Sequence, residues 1–254
     1  VKNSILAAML VTAVVAHSAH ANESASGTSG AQFLKIGQGS ARSMALGGAF
    51  VALAEGSDAM TWNPAGLAAT QQREFAFSYL RGLQGLDSPV YLGYAQPVGR
   101  TTWGANFGYM TDSLANGNGI GAPAEVRDAN GVPSAATVNA RDGYGAIGVG
   151  RSFWYEKLFL GGAVREIHED IAGSAHNTIA GDFGAILKPT NALSLGFALQ
   201  NFGANTADVA RIMRGGAALR LNDFMTFTGE LSRASDSGNR LAIGGEFQLP
   251  EEYL

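Results

Sequence analysis

Leu193-Ser194-Leu195-Gly196-Phe197-Ala198-Leu199-Gln200 and Met225-Thr226-Phe227-Thr228-Gly229-Glu230-Leu231-Ser232 set apolar residues or glycine at every second position, with small or polar residues between them. A period of two places each set on one face of a β-strand. The same spacing recurs from Arg73 onward in Phe75/Phe77/Tyr79, Trp103/Ala105/Phe107/Tyr109, Leu158/Leu160/Gly162/Val164 and Leu241/Ile243/Gly245/Phe247/Leu249. Weaker runs over 90–98, 144–153, 179–187 and 213–221 bring the count to about ten, each near the 9 to 11 residues of a tilted membrane strand. A soluble β-sandwich also alternates, so the second face decides. It carries Gly104/Asn106/Gly108, Ser194/Gly196/Ala198/Gln200 and Thr226/Thr228/Glu230/Ser232, the small and polar lining expected where lipid lies outside and the lumen inside.

The connections point the same way. Those at 98–101, 154–157, 188–191 and 222–223 are short, and the alternate ones at 81–89, 112–142, 166–177, 201–211 and 233–240 are longer and polar. Short periplasmic turns alternating with longer extracellular loops are a habit of outer-membrane barrels. Greek-key sandwiches have no reason to obey it. The fold class read from this pattern is all-β, an antiparallel transmembrane β-barrel, with a secreted sandwich or solenoid as the competing reading. Phe153-Trp154-Tyr155 at a short turn, with Tyr91, Tyr94 and Trp103, are candidates for interfacial girdle aromatics.

Composition narrows the class further. Of 254 residues, 15% are charged, 46% are apolar and 35 are glycine, against about 25% charged and about 7% Gly in ordinary soluble domains. Lys2, the apolar run 5–16 and Ala19-His20-Ala21 read as a secretory signal over 1–21, so the mature chain is expected to begin near Asn22. No later apolar run reaches the ~20 residues of a membrane helix, so any spanning segments are strands. The absence of cysteine excludes disulfides, thiolate metal sites and a lipobox. A net charge of -4 argues against nucleic acid as a partner. The expected location is the outer membrane of a Gram-negative-type bacterium, with its lipid as a partner.

Residues 22–30 form a Ser/Gly/Ala linker and 31–70 a small-residue segment; the barrel occupies 71–254. Within the segment, Gly47-Gly48 permits close backbone approach, Ser57 and Asp58 are candidate caps for a short turn leading to Trp62, and Pro64 stiffens Asn63-Pro64-Ala65-Gly66. A plain turn ahead of the first strand is the alternative. Phe33-Leu34-Lys35-Ile36-Gly37, Ala41-Arg42-Ser43-Met44-Ala45-Leu46-Gly47-Gly48-Ala49-Phe50-Val51-Ala52-Leu53-Ala54 and Trp62-Asn63-Pro64-Ala65-Gly66-Leu67-Ala68 together resemble the opening of the PorV/PorQ family, a branch of the FadL-type outer-membrane barrels. The resemblance covers about 32–69 and implies a hatch folded into the lumen, with Asp58, Trp62, Asn63, Pro64, Ala65, Gly66 and Leu67 as its motif. It also implies about fourteen strands in the full protein, within the range such barrels span, so further strands are expected beyond Leu254.

No catalytic constellation is present, and an enzyme is not expected; neither is a cofactor. His168 and His176 share a polar stretch with Glu169 and Asp170 but have no fixed scaffold for a metal. Gly117-Asn118-Gly119-Ile120-Gly121-Ala122 matches a dinucleotide fingerprint without the strand and helix that would give it meaning. If the facing is right, Asp182, Arg214, Arg220, Glu230 and Glu246 point into the lumen from successive strands, paired with one another or with the hatch. The resemblance implies a component of type IX secretion, whose partners are secretion-machinery proteins and exported cargo. The alternatives are a FadL-like channel for hydrophobic small molecules and a structural barrel without transport.

Overall fold

The computed structural model describes residues 34, 39–79, 89–114, 138–171, 174–206 and 208–248. The signal segment, Gly117–Ala122 and Leu249 lie outside the described residues. Ten strands follow one another: β1 (Glu74–Tyr79), β2 (Val90–Val98), β3 (Thr101–Leu114), β4 (Val138–Phe153), β5 (Leu158–Ile171), β6 (Ser174–Leu187), β7 (Leu193–Phe202), β8 (Ile212–Asn222), β9 (Met225–Ala234) and β10 (Asn239–Phe247). Each pairs antiparallel with its neighbours in chain order, in one sheet from β1 to β10. Among the described residues β1 and β10 are its two edges. No described helix is long and apolar enough to cross a membrane.

The two faces divide as the period of two requires. Phe75, Phe77, Trp103, Ile147, Val164, Phe197, Phe227 and Ile243 stand exposed, while Thr102, Asn106, Ala146, Phe159, Ala198 and Thr228 are buried. The β8–β9 register sets Gly215 opposite Leu231 and Gly216 opposite Glu230, so outward and inward positions pair with their own kind across the ladder.

What buries the polar face is the N-terminal part of the chain. It contains helix α1 (Ala41–Ala45), a 3-10 turn (Gly56–Asp58), helix α2 (Ala59–Trp62) and a second 3-10 turn (Pro64–Ala69). Its residues touch every strand, from Glu74 on β1 to Glu246 on β10. Ten strands laid flat at about 4.8 Å spacing would be about 43 Å across. A segment of this size meets both edges only because the sheet curls around it. Its core is Leu46, Phe50, Ala54, Met60, Trp62, Ala65 and Leu67, packed on Ala95, Ala146, Phe159 and Ile186 of the strands.

Glycine on the inner face makes the fit possible. A Cβ on Gly161 would run into the Pro64–Ala65 peptide, one on Gly184 into Asn63 Oδ1, and one on Gly196 into the Val51–Ala52 backbone.

Four local expectations need correction. Ser57 and Asp58 do not cap a turn with their side chains. Ser57 Oγ donates to Glu74 Oε1 instead, and Asp58 accepts from the Ser40 N–H, because both groups find tertiary partners closer than the local backbone. Tyr91 is no girdle residue, since it is buried on the inner face and its hydroxyl donates to the Ser57 carbonyl. The stretch 166–177 is mostly ladder rather than loop, paired from Glu166↔Ile179 to Ile171↔Ser174. His168 and His176 therefore sit on strands; His168 Nδ1 lies 2.6 Å from Asn177 Oδ1, and His176 Nε2 lies 3.3 Å from Asp208. Among the described residues no three metal-ligating side chains come together.

Candidate functional site

The candidate site is the contact between residues 39–69 and the inner wall. Asn63 is its centre. The side chain is wholly buried; Nδ2 donates to the carbonyls of Val51 (2.8 Å) and Ala185 (3.3 Å), and Oδ1 accepts from the Ala65 N–H (3.2 Å). One amide thus ties the middle of the segment to its last turn and to β6. Pro64 opens the following 3-10 turn, where its missing N–H costs nothing. Gly66 lies so close to the Ala54 carbonyl that no side chain fits. Leu67 fills the space over Gly104 and Gly150.

A hydrogen-bonded belt crosses five strands beside this centre. On β5, Arg165 Nη2 donates to Asp182 Oδ2 of β6 (2.7 Å) and to the Met60 carbonyl (3.1 Å). Asp182 Oδ1 accepts from the Asn201 N–H of β7 (2.8 Å). Gln200 Nε2, also on β7, donates to the Thr61 carbonyl (2.7 Å), and its Oε1 accepts from Arg214 Nε of β8 (2.7 Å). Arg214 Nη1 reaches Glu230 Oε1 of β9 at 2.8 Å, and Glu230 Oε2 accepts from the N–H groups of Phe50 (3.1 Å) and Val51 (2.9 Å).

The chemistry of the belt matches the backbone it meets. Arg165 and Gln200, both donors, face the last carbonyls of α2, which have no intrahelical partner. Glu230, an acceptor, faces two N–H groups that burial would otherwise strand. Arg214 lies 4.9 Å over the Trp62 ring and Arg165 4.9 Å over Tyr144, so each guanidinium also covers an aromatic face.

Of the inward charges read from the sequence, Asp182, Arg214 and Glu230 are buried in this belt. Glu246 is half-buried on β10 and chelates Arg42 through two 2.9 Å bonds. Arg220 is exposed, because its strand ends two residues later and the wall stops there. It lines a cleft of about 230 Å³ with Arg42, Leu53, Phe224, Thr226 and Glu246. Gln200 was read from sequence as part of the inner lining, and Arg165 was not singled out. The signal was there: Leu158, Leu160, Gly162 and Val164 facing out force Arg165 to face in.

At the end of the sheet where β3 gives way to 115–137 and β4 begins, a second, apolar cluster lies beyond the belt. Tyr144, Ile167, Ala180 and Val209 surround Leu34, with Met110 and Ala204 packed alongside. Tyr144 belongs to both, its ring lying under Arg165.

The fold is similar to that of two toluene transporters. The chain matches TbuX of Ralstonia pickettii with a TM-score of 0.61 at 14% identity, over 84% of this chain and 80% of that one. It matches TodX of Pseudomonas putida with a TM-score of 0.56 at 14% identity, over 86% and 77%. A TodX variant described as a monoaromatic hydrocarbon channel gives 0.50 at 12% identity, over 77% and 71%. At these identities the likeness is one of fold. No protein-family model and no curated protein matches the chain.

Proposed function

We propose that the chain forms an outer-membrane channel for small hydrophobic molecules, with residues 31–70 as the hatch in its lumen. The observation that carries the reading is the pairing of an apolar cluster around Leu34 with a segment that fills the wall beneath it. The cluster is apolar, as a site for a hydrophobic solute would be, and the segment beneath it would be the plug such a solute passes. The exposed apolar face supports placement in lipid, where the charged inner face is shielded. The shared fold supports the solute class, since TbuX and TodX are toluene transporters.

The apolar cluster offers a direct test. Ile167→Asp buries a carboxylate among Tyr144, Ala180 and Val209 and removes none of the belt's hydrogen bonds. Toluene binding to the purified protein should weaken by about tenfold or more. Unchanged toluene binding in a folded variant, or none in the parent protein, would remove the reading.

A type IX secretion role of the PorV/PorQ kind draws support from the motif residues alone, Trp62-Asn63-Pro64-Ala65-Gly66-Leu67 among them. It expects exported proteins to co-purify with the barrel, and Ile167→Asp to leave that association intact.

A further inference from the structure

The turn between β4 and β5 is built at a cost. Trp154, Tyr155 and Glu156 follow one another at φ 51°, 56° and 62°. A side chain at such angles crowds its own backbone, so glycine or asparagine is the usual occupant. The β2–β3 turn spends a glycine there, Gly99. The β4–β5 turn instead carries two large rings and leaves them in the open, Trp154 70% exposed and Tyr155 wholly so. Backbone held in an unfavourable region, with its side chains presented outward, is a mark of a contact surface.

Beside the turn lies an outward charge. Arg151 shares the outer face of β4 with the exposed Ile147. On the outer face of the described strands it is the one charge at the short-turn end; Arg141 and Arg233 lie at the opposite end. A lipid-facing wall tolerates such a charge only near an interface. The side chain reaches toward the turn, its guanidinium carbon 5.7 Å from the centre of the Phe153 ring, as a snorkelling arginine does. More cations gather around it. Thr101 of β3 is its register partner, which puts Arg100 on one side, and Lys157 precedes β5 on the other. Lys188 follows β6, its N–H donating to the Lys157 carbonyl at 2.7 Å. Against these four cations the same stretches, 98–101, 151–157 and 188–191, hold one carboxylate, Glu156. Four adjacent strands at about 4.8 Å spacing span about 14 Å, so the charges face one small area. β3 to β6 are paired on both sides, and the surface owes nothing to an edge of the sheet.

We propose that this surface binds the phosphate of an anionic phospholipid in the leaflet at the short-turn end. Arg151, Arg100 and Lys157 hold the phosphate. Trp154 and Tyr155 sit at headgroup depth, where amphipathic rings settle. Trp103, exposed on the outer face of β3 and paired with Val149, lies along the acyl chains. The proposal rests on the placement of the outer face in lipid and not on the solute.

The test uses the protein reconstituted in phosphatidylcholine bilayers, with dibrominated phosphatidylglycerol or dibrominated phosphatidylcholine as the probe. Bromine quenches at short range, so the exposed Trp103 and Trp154 report and the buried Trp62 does not. Phosphatidylglycerol should bind about tenfold or more tightly than phosphatidylcholine, since each engaged cation contributes about fivefold. Arg151→Gln should lower that preference by about fivefold, and Arg151→Lys should keep most of it. Arg141→Gln, at the far end of the same strand, should change it by less than about twofold. Tyr155→Asn suits the left-handed backbone, and should raise the urea midpoint in detergent while weakening the preference. A Tyr155→Asn variant that gains stability and keeps the full preference would overturn the part given to the turn. No preference in the parent, or an equal loss in Arg141→Gln, would overturn the site and leave the channel reading standing. Quenching by neither lipid would overturn the placement in lipid as well. Inorganic phosphate at constant ionic strength should leave the quenching unchanged; displacement by it would mean a free-anion site and overturn the lipid as occupant.

Discussion

Residues 49–69 meet strand backbone along their whole length and are held by buried side chains from β5 to β9, whereas α1 and its flanks reach the sheet through β10. The first region has most of its buried polar atoms paired, Trp62 Nε1 being an exception, and its neighbours pared to glycine. The second is tied by charges that water can also solvate. The difference lies in what is lost when a bond breaks. A charge left alone in the belt has nothing to replace its partner, and one left alone at α1 has solvent. The segment thus has two kinds of attachment, on different parts of its length.

The sharpest way to break the comparison is Glu230→Ala. It leaves Arg214 unpaired in a buried site and strands the N–H groups of Phe50 and Val51. Removing one member of a buried pair costs about 3 to 5 kcal/mol. Arg42→Ala, at a partly exposed pair, should cost no more than about 1 kcal/mol. Urea midpoints of the two variants in detergent give the answer. Equal losses would erase the distinction between the regions.

A smaller effect tests the fit of backbone to backbone. Gly184→Ala on the inner face puts a methyl group onto Asn63 Oδ1 and should destabilise by about 1 to 3 kcal/mol. Gly245→Ala on the outer face meets only ordinary contacts with Phe227 and Phe247 at 3.5 Å and should fall within about 0.5 kcal/mol of the parent. If both variants behave alike, the segment is not seated as described.

This asymmetry between faces was legible in the sequence, because a period of two needs no knowledge of partners. Phe197 and Phe227 face out and Ser194 and Thr228 face in, their hydroxyls donating to the carbonyls of Ala52 and Ala49. Glu230 was legible as inward and as a partner for another inward charge or for the N-terminal segment. Which N–H groups it meets was not, since the link from Glu230 to Phe50 spans 180 residues. Ser57 and Asp58 misled for the same reason: capping is a local rule, and their partners, Glu74 and Ser40, were fixed by how the segment folds back on itself. Tyr91 misled because an aromatic near a strand end has two readings, and only its parity, set by Gly93 facing the segment, separates them. The belt was half legible, as charges without a connection.

The smallest predicted effect concerns Asp58, which joins the two regions by accepting from the Ser40 N–H at 3.1 and 3.3 Å. Burial pushes its carboxyl above the ordinary range; the hydrogen bonds from Ser40 pull it back in part, Glu74 adds to the rise and Arg42 opposes it. A carboxyl with a raised folded pKa holds its proton more tightly in the native state. Its contribution to stability is therefore largest below the unfolded pKa and falls as pH climbs through the folded one. Asp58→Asn keeps an oxygen to accept from Ser40 and loses the titration. The difference in stability between Asp58→Asn and the parent should then shift in favour of the variant as pH rises through and above the ordinary carboxylate range. Urea midpoints of both proteins across that range isolate the one group, because the two proteins differ at Asp58 alone. A difference that does not change with pH would mean that the hydrogen bonds from Ser40 cancel burial at Asp58, and a shift in favour of the parent would mean that they outweigh it, so that α1 is fastened to the core by a charge rather than merely resting against it.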